Sequence, residues 1–247
     1  METNEKIAAL SDIGLRRKNN EDAAYAIKNQ YGALLIVADG MGGHRKGEVA
    51  SKIVVDSLSI PFSGEHKIFN THRAKKFYKK HMKKANNEIY KMSLSGDEYR
   101  EMGTTAVSCI IGDKETAILS VGDSRCYIID NDGLLKQVTK DQTYVELLFE
   151  SGKITKSEIT THPQKNLLIN AVGINPDLTN IEEFVLSNDS YRSILLCSDG
   201  LYNLVSDEEI HAVMMDKLST NEKAKLLIKK ALDAGGNDNV AVVIWEN

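Results

Sequence analysis

The run Ala33-Leu34-Leu35-Ile36-Val37-Ala38 is apolar without interruption and stops at Asp39, after which glycine occupies positions 40, 42 and 43 and a helical pattern begins a few residues on. An apolar run bounded by a carboxylate spells a buried strand that delivers an acidic group to its own end. The glycines then let the backbone bend in ways that residues with a Cβ resist. A strand end of this kind suits a metal or phosphate site, but a single Asp-Gly pair is also what an ordinary strand-to-helix turn contains. Partners for Asp39 decide between the two.

With 247 residues, 42% hydrophobic and 27% charged, the chain is long enough for a sizeable core. No Pro/Ser-rich linker divides it, so a single domain spanning residues 1–247 is expected. The net charge of -4 argues against a wide surface that neutralises phosphates, and so against nucleic acid as a partner. No apolar run approaches a membrane span, and Met1 to Lys6 offers neither the basic nor the apolar region of an export signal. No membrane partner and a cytoplasmic location are expected. Cys109, Cys126 and Cys197 lack C-x-x-C spacing and lie in or beside apolar runs, so they read as buried thiols rather than zinc ligands or a nucleophile.

Periodicity predicts strands at 7–13, 23–27 and 33–38, with the polar run Arg16 to Asp22 between the first two. Helical spacing follows twice. Val49, Ala50, Ile53, Val54 and Leu58 mark one helix, broken by Pro61 and Gly64. Ala74, Phe77, Tyr78, His81, Ala85, Ile89 and Met92 mark another, whose remaining surface is crowded with lysine. The lysine stripe is most simply a solvated face, with recruitment of acidic partners as the functional alternative.

From Gly103 the period becomes that of strands, at 104–111, 116–121, 126–129 and 134–138, which read as an antiparallel meander with Asp132-Gly133 as a hairpin turn. Residues 141–152 suit a short helix, and 141–173 as a whole is the least regular stretch. Strands return at 181–186 and 191–197, the second running into Ser198-Asp199-Gly200. Ser206 with Glu209 and Ser219 with Glu222 have capping-box spacing and start helices over 208–218 and 222–232, before a last strand at 240–245.

Four aspartates thus share one setting, at a strand terminus beside Gly or Asn: Asp39, Asp123, Asp199 and Asp238. Hard divalent cations such as Mg²⁺ and Mn²⁺ take oxygen ligands, and carboxylates gathered together repel one another unless a cation stands between them. Glu21-Asp22 and Arg17 upstream extend the pattern. The chain resembles the metal-dependent serine/threonine protein phosphatases, the PPM or type 2C family, in their compact bacterial form. The pieces that carry the resemblance are Ser11 to Asp22, Asp39-Gly40-Met41-Gly42-Gly43-His44 with Gly47-Glu48, Met102-Gly103-Thr104-Thr105, Gly122-Asp123-Ser124-Arg125, Ser198-Asp199-Gly200-Leu201 and Asp238-Asn239-Val240. They stand in the family's order and run nearly end to end.

The resemblance implies an α+β fold: a four-layer α-β-β-α sandwich of two mostly antiparallel sheets flanked by helix pairs, with a flap at about 141–173 beside a metal cleft. It implies that Asp39 bridges two metals, with the Gly40 carbonyl on one and Asp199 and Asp238 on the other. Glu21 would hold metal through water, Asp22 would orient a water, and Asp123 with Asp199 would make a third site. Arg17, four residues before Glu21, matches the phosphate-binding arginine. The cofactors implied are two or three Mn²⁺ or Mg²⁺ ions, and the partners are phosphorylated proteins and a Ser/Thr kinase acting on the same substrates, with the enzyme a monomer. Paired cations lower the pKa of a shared water and offset the phosphate dianion, so no phosphoenzyme is required.

Two positions depart from the pattern. Met41 stands where animal members have histidine, which leaves a metal-bound water or His44 as the candidate source of the leaving-group proton, His44 otherwise positioning the loop. Asn203 stands where many relatives have aspartate, one negative charge fewer beside Asp199. A non-catalytic phosphoprotein binder and a metal-dependent phosphodiesterase or nuclease are the competing readings, disfavoured by the intact acidic set and by the motif order with the acidic pI.

Overall fold

The computed structural model of the protein describes residues 6–42 and 46–247. β1 (Ile7–Asp12) and β2 (Asp22–Asn29) lead into β3 (Gly32–Met41), whose alternate side chains enter two different cores. Leu34, Ile36 and Ala38 pack towards α1 (Gly47–Ser63) and α2 (Thr71–Ser93), whereas Ala33, Leu35 and Val37 pack against a second sheet. With both faces covered, the strand has no use for polar alternation, which is why its sequence is an unbroken apolar run. α1 does not stop at Pro61 but continues to Ser63. Phe62 is fully buried and stacks on Phe69 with ring centroids 5.2 Å apart, so core packing holds a last turn that proline alone would end.

The expected meander is corrected by the sheet topology. β4 (Gly103–Thr104), β5 (Ala106–Ile111) and β6 (Glu115–Val121) join the sheet of β2 and β3, but at Gly122-Asp123-Ser124 the chain crosses over. β7 (Arg125–Asp130) enters the second sheet, with β8 (Leu135–Gln137) as its hairpin partner across Asp132-Gly133. After α3 (Tyr144–Glu150) and α4 (Lys156–Ile159) the split recurs: β9 (Glu182–Ser187) pairs with β6, and β10 (Tyr191–Cys197) pairs with β7. α5 (Asp199–Tyr202), α6 (Asp207–Met215) and α7 (Thr220–Asp233) then lead to β11 (Val240–Glu246), which lies between β10 and β1.

The strand orders are β2-β3-β5-β6-β9, with β4 beside β3, and β1-β11-β10-β7-β8. The described pairings are antiparallel. One core lies between the sheets, one under α1 and α2, and one under α5, α6 and α7, which gives the four layers α-β-β-α. α6 and α7 begin at Asp207 and Thr220, slightly before the expected residues, because Ser206 and Ser219 are the caps themselves and accept from the amides of Glu209 and Glu222. All three cysteines are free and buried, with the Sγ atoms of Cys109 and Cys126 3.9 Å apart across the sheet interface. No helix among the described residues is long and apolar enough to cross a membrane.

Candidate metal centre

Segments far apart in sequence meet at one end of the sandwich. Asp39 and Gly40 lie just inside the end of β3, not at its terminus as expected, and Asp22, the first residue of β2, stands opposite Asp39 in the ladder. The second sheet supplies Asp199, the first residue of α5 after β10, and Asp238, which precedes β11. Asp123 sits in the crossover between the sheets.

The backbone around these groups is tightly specified. The Asp39 N–H donates to Thr105 Oγ1 (3.0 Å), and its carbonyl accepts from the Thr105 N–H (2.9 Å) and Thr104 Oγ1 (3.0 Å). Thr105 Oγ1 lies 2.7 Å from Ser124 Oγ, beside Asp123. Gly40 donates its N–H to the Glu21 carbonyl (3.1 Å), and a Cβ there would stand 2.3 Å from the Gly47 carbonyl oxygen. Only glycine threads between the Glu21 backbone and the start of α1 at that distance. Asn239 accepts from the Glu21 N–H (2.9 Å) and donates to the carbonyls of Ile13 and Asn19, tying the Arg17–Asp22 stretch to Asp238. Ser198 Oγ donates to Asp22 Oδ2 (2.6 Å) and accepts from the Ala241 N–H (2.9 Å), joining the two sheets.

The charges are unbalanced. Burial pushes the Asp22 carboxyl up to about 7, helped by Asp199 and Asp238 and opposed by the Ser198 hydrogen bond. Asp123 rises to about 8 through burial and then Asp199 and Asp141, and Asp199 to about 6 through burial and then Asp238. Asp39 lies well above the carboxylate range, from burial first and then from the charges of Asp22, Asp199, Asp123 and Asp238. Interaction with the Asp39 carboxyl in turn partly offsets the rise at Asp22 and Asp199. Glu21 is buried, its pKa raised by burial and then by Glu48, and both Glu21 Oε1 and Glu48 Oε2 are without a hydrogen-bond partner among the described residues.

Among the described residues, two cationic side chains answer this cluster. Arg17 Nη2 lies 2.7 Å from Asp238 Oδ2, and Lys165, from the irregular stretch, lowers the Asp199 pKa. Asn203 Nδ2 donates to Asp199 Oδ2 (3.1 Å), a neutral donor at the position where a carboxylate would repel. Among the described residues no three carboxylates converge as ligands in their present rotamers. They are turned towards one another, Arg17, Ser198 and Asn203. The donor set is nonetheless all oxygen and strongly acidic, with orphaned buried oxygens on Glu21 and Glu48, and these residues fit Mn²⁺ or Mg²⁺.

Arg17, Glu21, Asp22, Asp39, Gly40, Asp123, Asp199 and Asp238 therefore occupy one region, while His44 lies outside the described residues. The stretch 141–173 is pinned at both ends. Arg125 forks onto Asp141, Gln142 exchanges hydrogen bonds with Gly122, and Val172 bonds to Thr104. Sequence reasoning assigned no role to Ser198, Asn239, Thr104, Thr105 or Lys165. The first four lie within the motifs quoted above, and their adjacency to the acidic positions was the available signal; Lys165 had none.

The family model for protein phosphatase 2C matches residues 16–234. The serine/threonine phosphatase stp of Listeria innocua is 35% identical over 237 residues, 96% of this chain and 93% of its own length. Among solved structures, serine/threonine phosphatase Stp1 from Staphylococcus aureus superposes with a TM-score of 0.91 at 35% identity, covering 98% of this chain and 94% of that one. The catalytic domain of serine threonine protein phosphatase PstP in complex with two manganese ions gives a TM-score of 0.82 at 34% identity, with 98% and 97% coverage. The chain belongs to the protein phosphatase 2C family of serine/threonine protein phosphatases.

Proposed function

We propose that the chain hydrolyses phosphoserine and phosphothreonine esters of proteins at a centre of two or three Mn²⁺ or Mg²⁺ ions held by Asp39, the Gly40 carbonyl, Asp199, Asp238 and Glu21, with Asp123 and Asp199 serving the third. The observation that carries this reading is the set of buried carboxyls with raised pKa values, Asp22 opposite Asp39 in the ladder and Asp238 paired with the Arg17 guanidinium. When bound, the cations supply a low-pKa water and offset the charge of the phosphate. Arg17 presents a planar fork of donors to phosphate oxygens, and its present partner Asp238 keeps it at the edge of the cluster. Asp22, held by Ser198 through Oδ2, orients the attacking water. His44 donates the proton to the leaving alkoxide.

Residues 141–173 act as a flap that admits substrate, within a single domain that works as a monomer in the cytoplasm. The substrates are those of a Ser/Thr kinase whose action this enzyme reverses. The test is phosphate release from a phosphothreonine peptide, with Mn²⁺, with Mg²⁺ and with a chelator, beside a nucleic-acid phosphodiester. Turnover of the peptide only with metal is expected. Turnover in chelator, or preference for the phosphodiester, would overturn the reading.

A further inference from the structure

α2 concentrates the positive charge of the molecule. Between Thr71 and Ser93 it carries Arg73 and seven lysines against Glu88 alone, a net +7 in a chain whose total is -4, so the remaining residues carry -11. Arg73 pairs with Glu65 and Lys75 with Glu183. Lys76, Lys79, Lys80, Lys83 and Lys84 are exposed and have no carboxylate partner among the described residues. Like charges at i,i+4 each work against the helix by roughly 0.2–0.5 kcal/mol, and 76/80, 79/83 and 80/84 are such pairs. Lys80 and Lys84 also add to burial in lowering the His81 pKa. Glutamate at alternate positions would relieve this repulsion.

Beside the stripe, α1 and α2 leave a cleft of about 540 Å³ that sets Ile53, Ile60 and Pro61 against Lys80, His81 and Lys84, with Glu88 and the Lys52-paired Asp56 also on its wall. Ile60 is 69% exposed. A second hollow continues along Lys83, Asn87 and Lys91. It shares Lys80, Lys84 and Glu88 with the first cleft. Lys80 to Lys91 spans roughly 16 Å of helix, the reach of about five residues of extended chain. The aromatic side chains Phe77 and Tyr78 are buried, so this face offers no platform for stacked bases. An aliphatic wall on α1 facing lysines on α2 suits a side chain with acidic neighbours better than a flat anionic surface.

We propose that this cleft docks an acidic, extended segment of a phosphoprotein partner, with an aliphatic side chain of that segment on Ile53, Ile60 and Pro61 and its carboxylates on Lys80, Lys83 and Lys84. The proposal rests on the phosphatase reading only in making the partner a substrate; the docking itself is measured without turnover.

The experiment uses the full chain with Mn²⁺ and a fluorescein-labelled peptide of about twelve Glu and Ser residues with one central leucine. Anisotropy should report binding that weakens at least about tenfold in the variant combining Lys80→Glu, Lys83→Glu and Lys84→Glu, and several-fold in Ile60→Asp. Hydrolysis of a small aryl phosphate should be unchanged in both variants, which separates loss of docking from loss of the catalytic centre. No binding to the wild type, undiminished binding to the triple variant, or equal binding of a peptide with glycine in place of leucine would overturn the proposal. So would tighter binding of oligothymidylate or of phosphatidylserine vesicles than of the peptide.

Discussion

Replacing Asp199 by asparagine removes one charge from the carboxyl cluster while keeping its size and its capacity to accept from Asn203. In the metal-free protein, burial and then Asp238 raise this carboxyl from 3.8 to about 6. An acid with a raised native pKa binds its proton more tightly when folded, so ionisation costs the fold nothing well below 3.8 and its full penalty is present once the pH has passed 6. A shift of about two units corresponds to at most about 3 kcal/mol, the upper limit because the side chain is only half-buried and water screens part of the repulsion. In chelator at pH 8, Asp199→Asn should therefore be more stable than the wild type by up to about 3 kcal/mol, a rise in Tm of at most about 6–12 °C for a chain of this length. The gain should shrink below about 1 kcal/mol at pH 4. With Mn²⁺ the order should reverse, because ligand binding stabilises the form that holds it, and phosphothreonine hydrolysis by the variant should fall to background. Calorimetric scans at both pH values, with chelator and with Mn²⁺, read every arm. A variant no more stable than the wild type at pH 8 in chelator refutes the electrostatic account.

Other substitutions probe the scaffold around the cluster. Ser198→Ala strips a donor from Asp22 and an acceptor from the Ala241 amide, both buried, and should cost about 2 kcal/mol in urea titrations. The loss should be larger at pH 8 than at pH 4, because without the Ser198 hydrogen bond the Asp22 pKa climbs further and ionisation is penalised more. Gly40→Ala would put a Cβ 2.3 Å from the Gly47 carbonyl, and a thermal melt should show a loss of about 3 kcal/mol or more; a near-neutral change would mean that β3 and α1 separate freely. Arg17→Lys keeps the charge without the fork and should lower kcat/KM for a phosphopeptide by about tenfold, and Arg17→Ala by about a hundredfold; full activity of the lysine variant would remove Arg17 from phosphate binding.

The elements of this fold were legible wherever one local rule sufficed. The capping boxes at Ser206 and Ser219 announced their helices, and the apolar spacing from Ala74 to Met92 described α2 almost to its ends. Assignment of strands to sheets was not legible, since β5, β6 and β7 are buried on nearly every residue and show no alternation from which a face could be read. The same burial made consecutive strands look like a meander although the chain changes sheets at Asp123. The aspartates stood out because their type and neighbours are informative, but their mutual contacts are matters of register. That Asp22 faces Asp39, and that Ser198 reaches Asp22 across 176 positions, follows from strand pairing and sheet packing, which no local pattern records.

The bond from the Glu21 amide to Asn239, across 218 positions, and that from Arg17 to Asp238, across 221, have a consequence for how the enzyme comes into being. A nascent chain exposes Arg17, Asp39 and Asp123 early, yet the cleft lacks Asp238 and the clamp of Asn239 until the final strand has been made and inserted between β1 and β10. Contacts of such span form late and slowly. On the proposed assignment, a polypeptide interrupted before Asp238 lacks one carboxylate of the metal set together with the Asn239 clamp, and is expected to release no phosphate.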